Sequence, residues 1–187
     1  FILYYYVLYA AVTYLVFVFL QPIFETVVVT DLNFAPALVE SSLGWFYAAY
    51  SLVGAVISYY TGAIKENVGM RTWFLVLPFL IGAALIGMYF VPLLALPTFL
   101  VARGLSDVTR SFAGQYVNNR TETLGRATVL SAMAMVSGLA VVPFQLGSGI
   151  ISDYVSPLFA LAIGGAVLIV GSAAVLLWEA PVERRPT

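Results

Sequence analysis

The sequence predicts an all-α membrane protein with six transmembrane helices. Three observations predict it. Charged residues make up 9% of the 187 and hydrophobic residues 62%, whereas soluble domains carry about 25% charge. Charge-free runs cover Phe1–Phe24, Ser41–Ile64, Thr72–Ala102, Ala127–Ser152 and Tyr154–Trp178, and about 20 apolar residues suffice to cross a bilayer as a helix. A count of six spans also places the basic loop residues on one side of the membrane, as the positive-inside rule requires.

The first run supplies one span over residues 1–24 and the second another over 42–63. The third run is long for one span and short for two. Pro92 and Pro97 break it. One span then covers 72–91, and the next continues over 95–117 through Arg103, Asp107 and Arg110. The last two runs give spans over 127–151 and 156–178, followed by a polar tail over 179–187. With this count Lys65, Arg71, Arg120, Arg126, Arg184 and Arg185 share a side, and the opposite loops hold Glu25, Asp31, Glu40 and Asp153. Five spans would set Lys65 and Arg71 against every other basic residue. Both ends of the segment and the tail are therefore expected on the cytoplasmic side of a cell membrane.

Within the spans, Gly82-Ala-Ala and Gly164-Gly-Ala are expected to let helices approach closely. Pro22, Pro78 and Pro143 are expected to kink their helices. Tyr4-Tyr-Tyr and Trp178 fit an interfacial aromatic belt. The chain opens at Phe1 inside an apolar run, with no basic leader or small-residue cleavage site. This leads to the expectation of a longer natural protein.

Composition excludes several chemistries. Without Cys or His there are no disulfides, no zinc sites of the usual kind, no thiol nucleophiles and no imidazole shuttles. No phosphate-binding loop pattern is present, so no nucleotide motor is expected. A net charge of −1 and the absence of a basic–aromatic tract argue against nucleic acid. No metal, no cofactor and no enzymatic activity are expected, since candidate acid–base groups are so few.

Three stretches carry a resemblance. Gly62-Ala-Ile-Lys-Glu66-Asn-Val-Gly69-Met-Arg71 has glycine, three residues, an acid, and then a second glycine followed after one residue by a base. A weaker copy, Gly149-Ile-Ile-Ser-Asp153, falls between the fifth and sixth spans. The run from Asn119-Arg120 to Arg126-Ala-Thr-Val-Leu-Ser131 links the fourth span to the fifth. Together these stretches resemble the C-terminal half of major facilitator superfamily transporters. Gly62, Glu66, Gly69 and Arg71 match the cytoplasmic loop signature, while Asn67 and Thr72 depart from bases common there. The resemblance implies half of a twelve-helix fold, built as two inverted three-helix repeats. Its partners would be the lipid bilayer and an N-terminal six-helix half, in the same chain or as a second half-size chain. It further implies secondary active transport of a small solute by alternating access, with the first and fourth helices lining the path and the Gly62–Arg71 loop gating it. In the loop, Gly62 is expected to admit close helix packing and Gly69 a tight turn, with Glu66 and Arg71 paired across it or with helix ends.

The residues themselves point to a pathway. Arg103, Asp107 and Arg110 are spaced by four and three, which places them on one helix face that Gly114 and Asn118 continue. Each charge near a bilayer centre costs at least ~2.5–3.5 kcal/mol, so such groups face a bundle interior or a wet cavity. Asp107 offers a site for a proton or cation, and either arginine a site for an anionic group. Tyr14 and Gln21 lie seven residues apart on the first span, Gln21-Pro22 marks an expected helix break, and Gln145 lies beside Pro143 on the fifth. All three are candidates to line a cavity. The alternatives are a structural ion-pair cluster, a channel or pore, and a non-transporting scaffold or partner subunit. A channel would need a continuous polar stripe, of which the first, third and sixth spans show little.

Overall fold

The computed structural model describes residues 2–119 and 123–178. Its helices are α1 (Ile2–Thr30), α2 (Val39–Tyr59), α3 (Thr61–Val68), α4 (Met70–Phe90), α5 (Ala95–Asn118), α6 (Thr123–Tyr154) and α7 (Pro157–Trp178), with 3-10 turns at Pro36–Leu38 and Pro92–Leu94. The chain is all-helical. Among the described residues four stretches are long and apolar enough to cross a membrane: Tyr4–Thr30, Thr72–Phe90, Ala127–Tyr154 and Pro157–Ala174. α2 and α5, of 21 and 24 residues, have spanning length but carry more polar groups. The expected break at Pro92 is present, where the backbone leaves α4 at Val91 and re-enters through the 3-10 turn. The stretch 179–187, read above as a cytoplasmic tail, and Arg120 lie outside the described residues.

Several expected boundaries move. α1 does not stop at residue 24 but runs to Thr30, straight through Gln21-Pro22, so the expected break there is absent. Proline removes one backbone donor. The carbonyl left without its partner is that of Val18, one turn earlier, and in a long apolar helix the neighbouring turns absorb such a loss. Pro78 and Pro143 likewise lie inside the continuous helices α4 and α6. α2 ends at Tyr59, and the following segment forms the separate short helix α3 rather than an open loop.

α1 is the core of the bundle. Its residues Leu8, Val12, Leu15, Phe19, Ile23 and Val27 are buried, at the three- and four-residue steps of one helix face. It packs on α6, α7 and α5. The other principal pairs are α4 with α7 and α2 with α5. Exchanging α1 with α5, α2 with α6 and α4 with α7 carries the α2–α5 pair onto α6–α1 and the α4–α7 pair onto itself.

Glycine sets two of these seams. A Cβ at Gly165 would stand 2.6 Å from the Gly82 carbonyl oxygen, and one at Gly82 would stand 2.7 Å from that of Gly165. The backbones of α4 and α7 therefore touch, as expected for these small-residue runs. Between α2 and α5, a Cβ on Gly104 would meet Ile57 at 2.5 Å, and one on Gly54 would meet the Arg103 stem at 2.8 Å.

Tyr5 is not part of an interfacial belt. It is buried, stacked on Tyr9 with ring centroids 5.9 Å apart and edge-on to Phe74 at 4.9 Å. The belt reading fails here because Phe74 of α4 and the neighbouring Tyr9 pack on the Tyr5 ring. α4 is tied to α5 by a buried hydrogen bond in which the Trp73 indole N–H donates to Thr109 Oγ1 at 3.0 Å. Thr109 in turn donates to the Leu105 carbonyl at 2.7 Å. Thr109→Val keeps the shape and removes the acceptor. It is expected to lower unfolding free energy by about 0.6–1.5 kcal/mol, read from unfolding titrations in mixed micelles.

Candidate functional site: a cleft with two arginines

Four helices enclose an open cleft of about 870 Å³. α1 contributes Tyr6, Ala10, Thr13, Tyr14 and Phe17, and α5 contributes Ala102, Arg103, Ser106 and Arg110. α6 adds Ala134, Ser137, Gly138, Val141, Val142 and Gln145, and α2 adds Tyr50. On each of the three long helices these positions recur at three- and four-residue steps, so each presents one stripe to the cleft.

The electrostatics are lopsided. Both lining arginines are exposed to the cleft, and among the described residues no carboxylate lines it. Arg103 is held from two directions: its Nε lies 3.4 Å from Asp107 Oδ2 one turn on, and its guanidinium carbon sits 6.0 Å from the centre of the Tyr50 ring. Gly54 leaves room for its stem. Among the described residues Arg110 has no carboxylate within 4 Å. Asp107 is half-buried behind the cleft wall.

The structure brings Tyr14, Arg103, Arg110 and Gln145 to one cleft, with Asp107 joined through its ion pair. Two candidates fall elsewhere. Gln21 is exposed and donates from Nε2 to Glu25 Oε1 at 2.9 Å, away from the cleft lining. The unbroken α1 keeps Gln21 on the Tyr14 face but carries it about 10 Å further along the axis, past Phe17, the last α1 residue of the lining. Asn118 is half-buried at the end of α5 and does not line the cleft.

The Gly62–Arg71 segment forms α3 and the start of α4. Gly69 takes φ +74°, the left-handed turn expected of it. Gly62 does not mediate close packing, since a Cβ there meets nothing within 4 Å. Glu66 is exposed, and Arg71 occupies the first turn of α4, its side chain outside the described residues. Lys65, not singled out from sequence, donates to Gln115 Oε1 at 2.7 Å and ties α3 to the last turns of α5. Gly149 and Asp153, expected in a loop, lie in the closing turns of α6, where Gly149 faces open space and Asp153 is exposed.

Sequence reasoning missed Tyr6, Thr13, Tyr50, Ser106, Ser137 and Gly138. Helical spacing reaches most of them: Ser106 lies between Arg103 and Arg110, Thr13 beside Tyr14, and Ser137 and Gly138 two turns before Gln145. Tyr50 carries no such signal. Among the described residues no group of three or more acidic, His or Cys side chains converges to hold a metal. No known family, curated protein or solved structure matches the chain.

Proposed function

We propose that this chain is a six-helix transmembrane unit of a secondary active transporter, moving a small solute through the α1–α2–α5–α6 cleft by alternating access. The observation that carries the reading is the cleft itself, which two arginines line together with four aromatic rings. Charges with spanning-length helices on every side face a pathway by default. Two inverted three-helix units, α1–α2–α4 and α5–α6–α7, would account for three of the pairings, since exchanging them carries α2–α5 onto α6–α1, α1–α2 onto α5–α6 and α4–α7 onto itself. The resemblance of 62–71 and 119–131 to the major facilitator superfamily points the same way. On this reading α2 and α5 also cross the membrane, with Arg103, Ser106 and Arg110 of α5 and Tyr50 of α2 turned to the cleft. An N-terminal half or a second half-size chain completes the path, and the unit resides in the cell membrane.

A proton gradient would couple through Asp107, the carboxylate that pairs with a cleft arginine. Protonation releases Arg103, and alternating possession of that arginine by Asp107 and solute links the two. The test is flux of a panel of small solutes in proteoliposomes, with and without a pH gradient. Asp107→Asn is expected to abolish gradient-driven accumulation and to keep solute exchange. Unchanged accumulation in the variant would remove Asp107 from coupling, and the absence of any protein-dependent flux would remove the transport reading.

A further inference from the structure

We propose that the cleft recognises a small organic anion of single negative charge with a flat apolar body, an inference that rests on reading the cleft as the solute site. The charges set the sign. Arg103, Asp107 and Arg110 together leave one formal positive charge. Arg103 is partly satisfied by Asp107 and by the Tyr50 face, whereas Arg110 has no carboxylate partner among the described residues. A guanidinium exposed to the cleft without a carboxylate partner favours a ligand that brings one carboxylate or sulfonate. The planar fork of arginine meets such a group with two parallel hydrogen bonds.

The walls set the body. Tyr6, Tyr14, Phe17 and Tyr50 supply ring faces and edges, with Tyr14 and Phe17 tilted against each other at 6.2 Å between centroids. Val141, Val142, Ala10 and Ala134 add apolar surface. Aromatic walls of this kind hold flat ligands by offset or edge contacts. The volume of about 870 Å³ lies within the range of small-molecule sites and leaves space for a ligand of drug size or less. Thr13, Ser106, Ser137 and Gln145 are polar groups that can orient substituents. A cation would face two guanidiniums with no carboxylate on the lining, and a neutral solute would leave Arg110 unpaired.

The assignment is tested by equilibrium dialysis of radiolabelled benzoate against the purified full-length protein, competed by benzamide, benzylammonium and phthalate. Benzoate is expected to bind saturably, and benzamide and benzylammonium to compete at least about tenfold more weakly, the scale of one lost charge-assisted bond. Arg110→Gln, at an exposed position, is expected to weaken benzoate by about 10–100-fold with an unchanged melting temperature. Asp107→Asn doubles the formal charge of the site and is expected to shift preference from benzoate toward the dianion phthalate. Equal competition by benzamide, benzoate binding indifferent to Arg110→Gln, or no saturable benzoate binding would each overturn the assignment. Solute counterflow in proteoliposomes separates the two readings. Flux of a neutral or cationic solute without benzoate binding removes the anion assignment and keeps transport. Benzoate binding without flux of any solute keeps the anion site and removes transport.

Discussion

Gly165→Leu is expected to abolish the folded bundle in detergent, whereas Gly138→Ala on α6 is neutral or slightly stabilising. At Gly165 even a Cβ stands 2.6 Å from the Gly82 carbonyl oxygen and 2.9 Å from Leu85 Cβ. The obstacle is backbone, which cannot rotate out of the way, so α4 and α7 must separate. Overpacking a tight core costs about 1–3 kcal/mol and occasionally more. A leucine that separates two whole helices belongs to the upper end, and Gly82→Leu, blocked by the Gly165 carbonyl and Ile169, is its counterpart. Gly138, with nothing within 4 Å of an added Cβ, shows only the gain in helix propensity, up to about 1 kcal/mol. Thermal unfolding followed by size-exclusion in detergent reads both. Equal melting temperatures for Gly165→Leu and the parent would show that the α4–α7 seam does not hold the fold.

The second large effect is on transport. Gly138→Trp is expected to cut solute flux by roughly tenfold or more, which asks for only ~1.4 kcal/mol against the bound solute, while the melting temperature stays put. Gly138 lines the cleft and faces open space, so an indole there occupies the cavity without disturbing a helix contact. A stability loss equal to that of Gly165→Leu would contradict the placement of Gly138. Preserved flux with preserved stability would show that the solute passes elsewhere. The chain contains no cysteine, so Gly138→Cys introduces a single thiol. On the alternating-access reading, its labelling by a membrane-impermeant reagent is expected to depend on the side of addition and on the solute.

The helices were legible in the sequence because apolar length and charge poverty are properties of composition. So were the close-packed glycines at 82 and 165, which stand in runs of small residues. Gly54 and Gly104 were not, because each is an isolated glycine whose partner lies on another helix. Arg103 and Arg110 were legible because a charge inside an apolar stretch demands a reason. The α6 stripe was legible only at Gln145: the rest of that stripe is small or apolar, so Ala134, Gly138, Val141 and Val142 carry no signal of their own. Gln21-Pro22 misled for a physical reason. Proline disfavours helix in water, but in a long apolar helix no better conformation competes. Tyr4-Tyr-Tyr misled similarly, since one triplet faces three ways, with Tyr5 in the core and Tyr6 on the cleft.

The backbone contact between Gly82 and Gly165 also bears on how the protein is made. The two residues are separated by most of the second half of the chain. At synthesis rates of about 5–20 residues per second, α4 emerges on the order of ten seconds before the helix it will grip. During that interval its binding face is exposed to whatever surrounds the nascent chain. A glycine there offers neither a polar side chain to be hidden nor a bulky apolar one to attract a wrong neighbour. At Gly82 itself the waiting seam is therefore unadhesive, and its attraction for a wrong neighbour is left to Leu85 and Ile86 beside it.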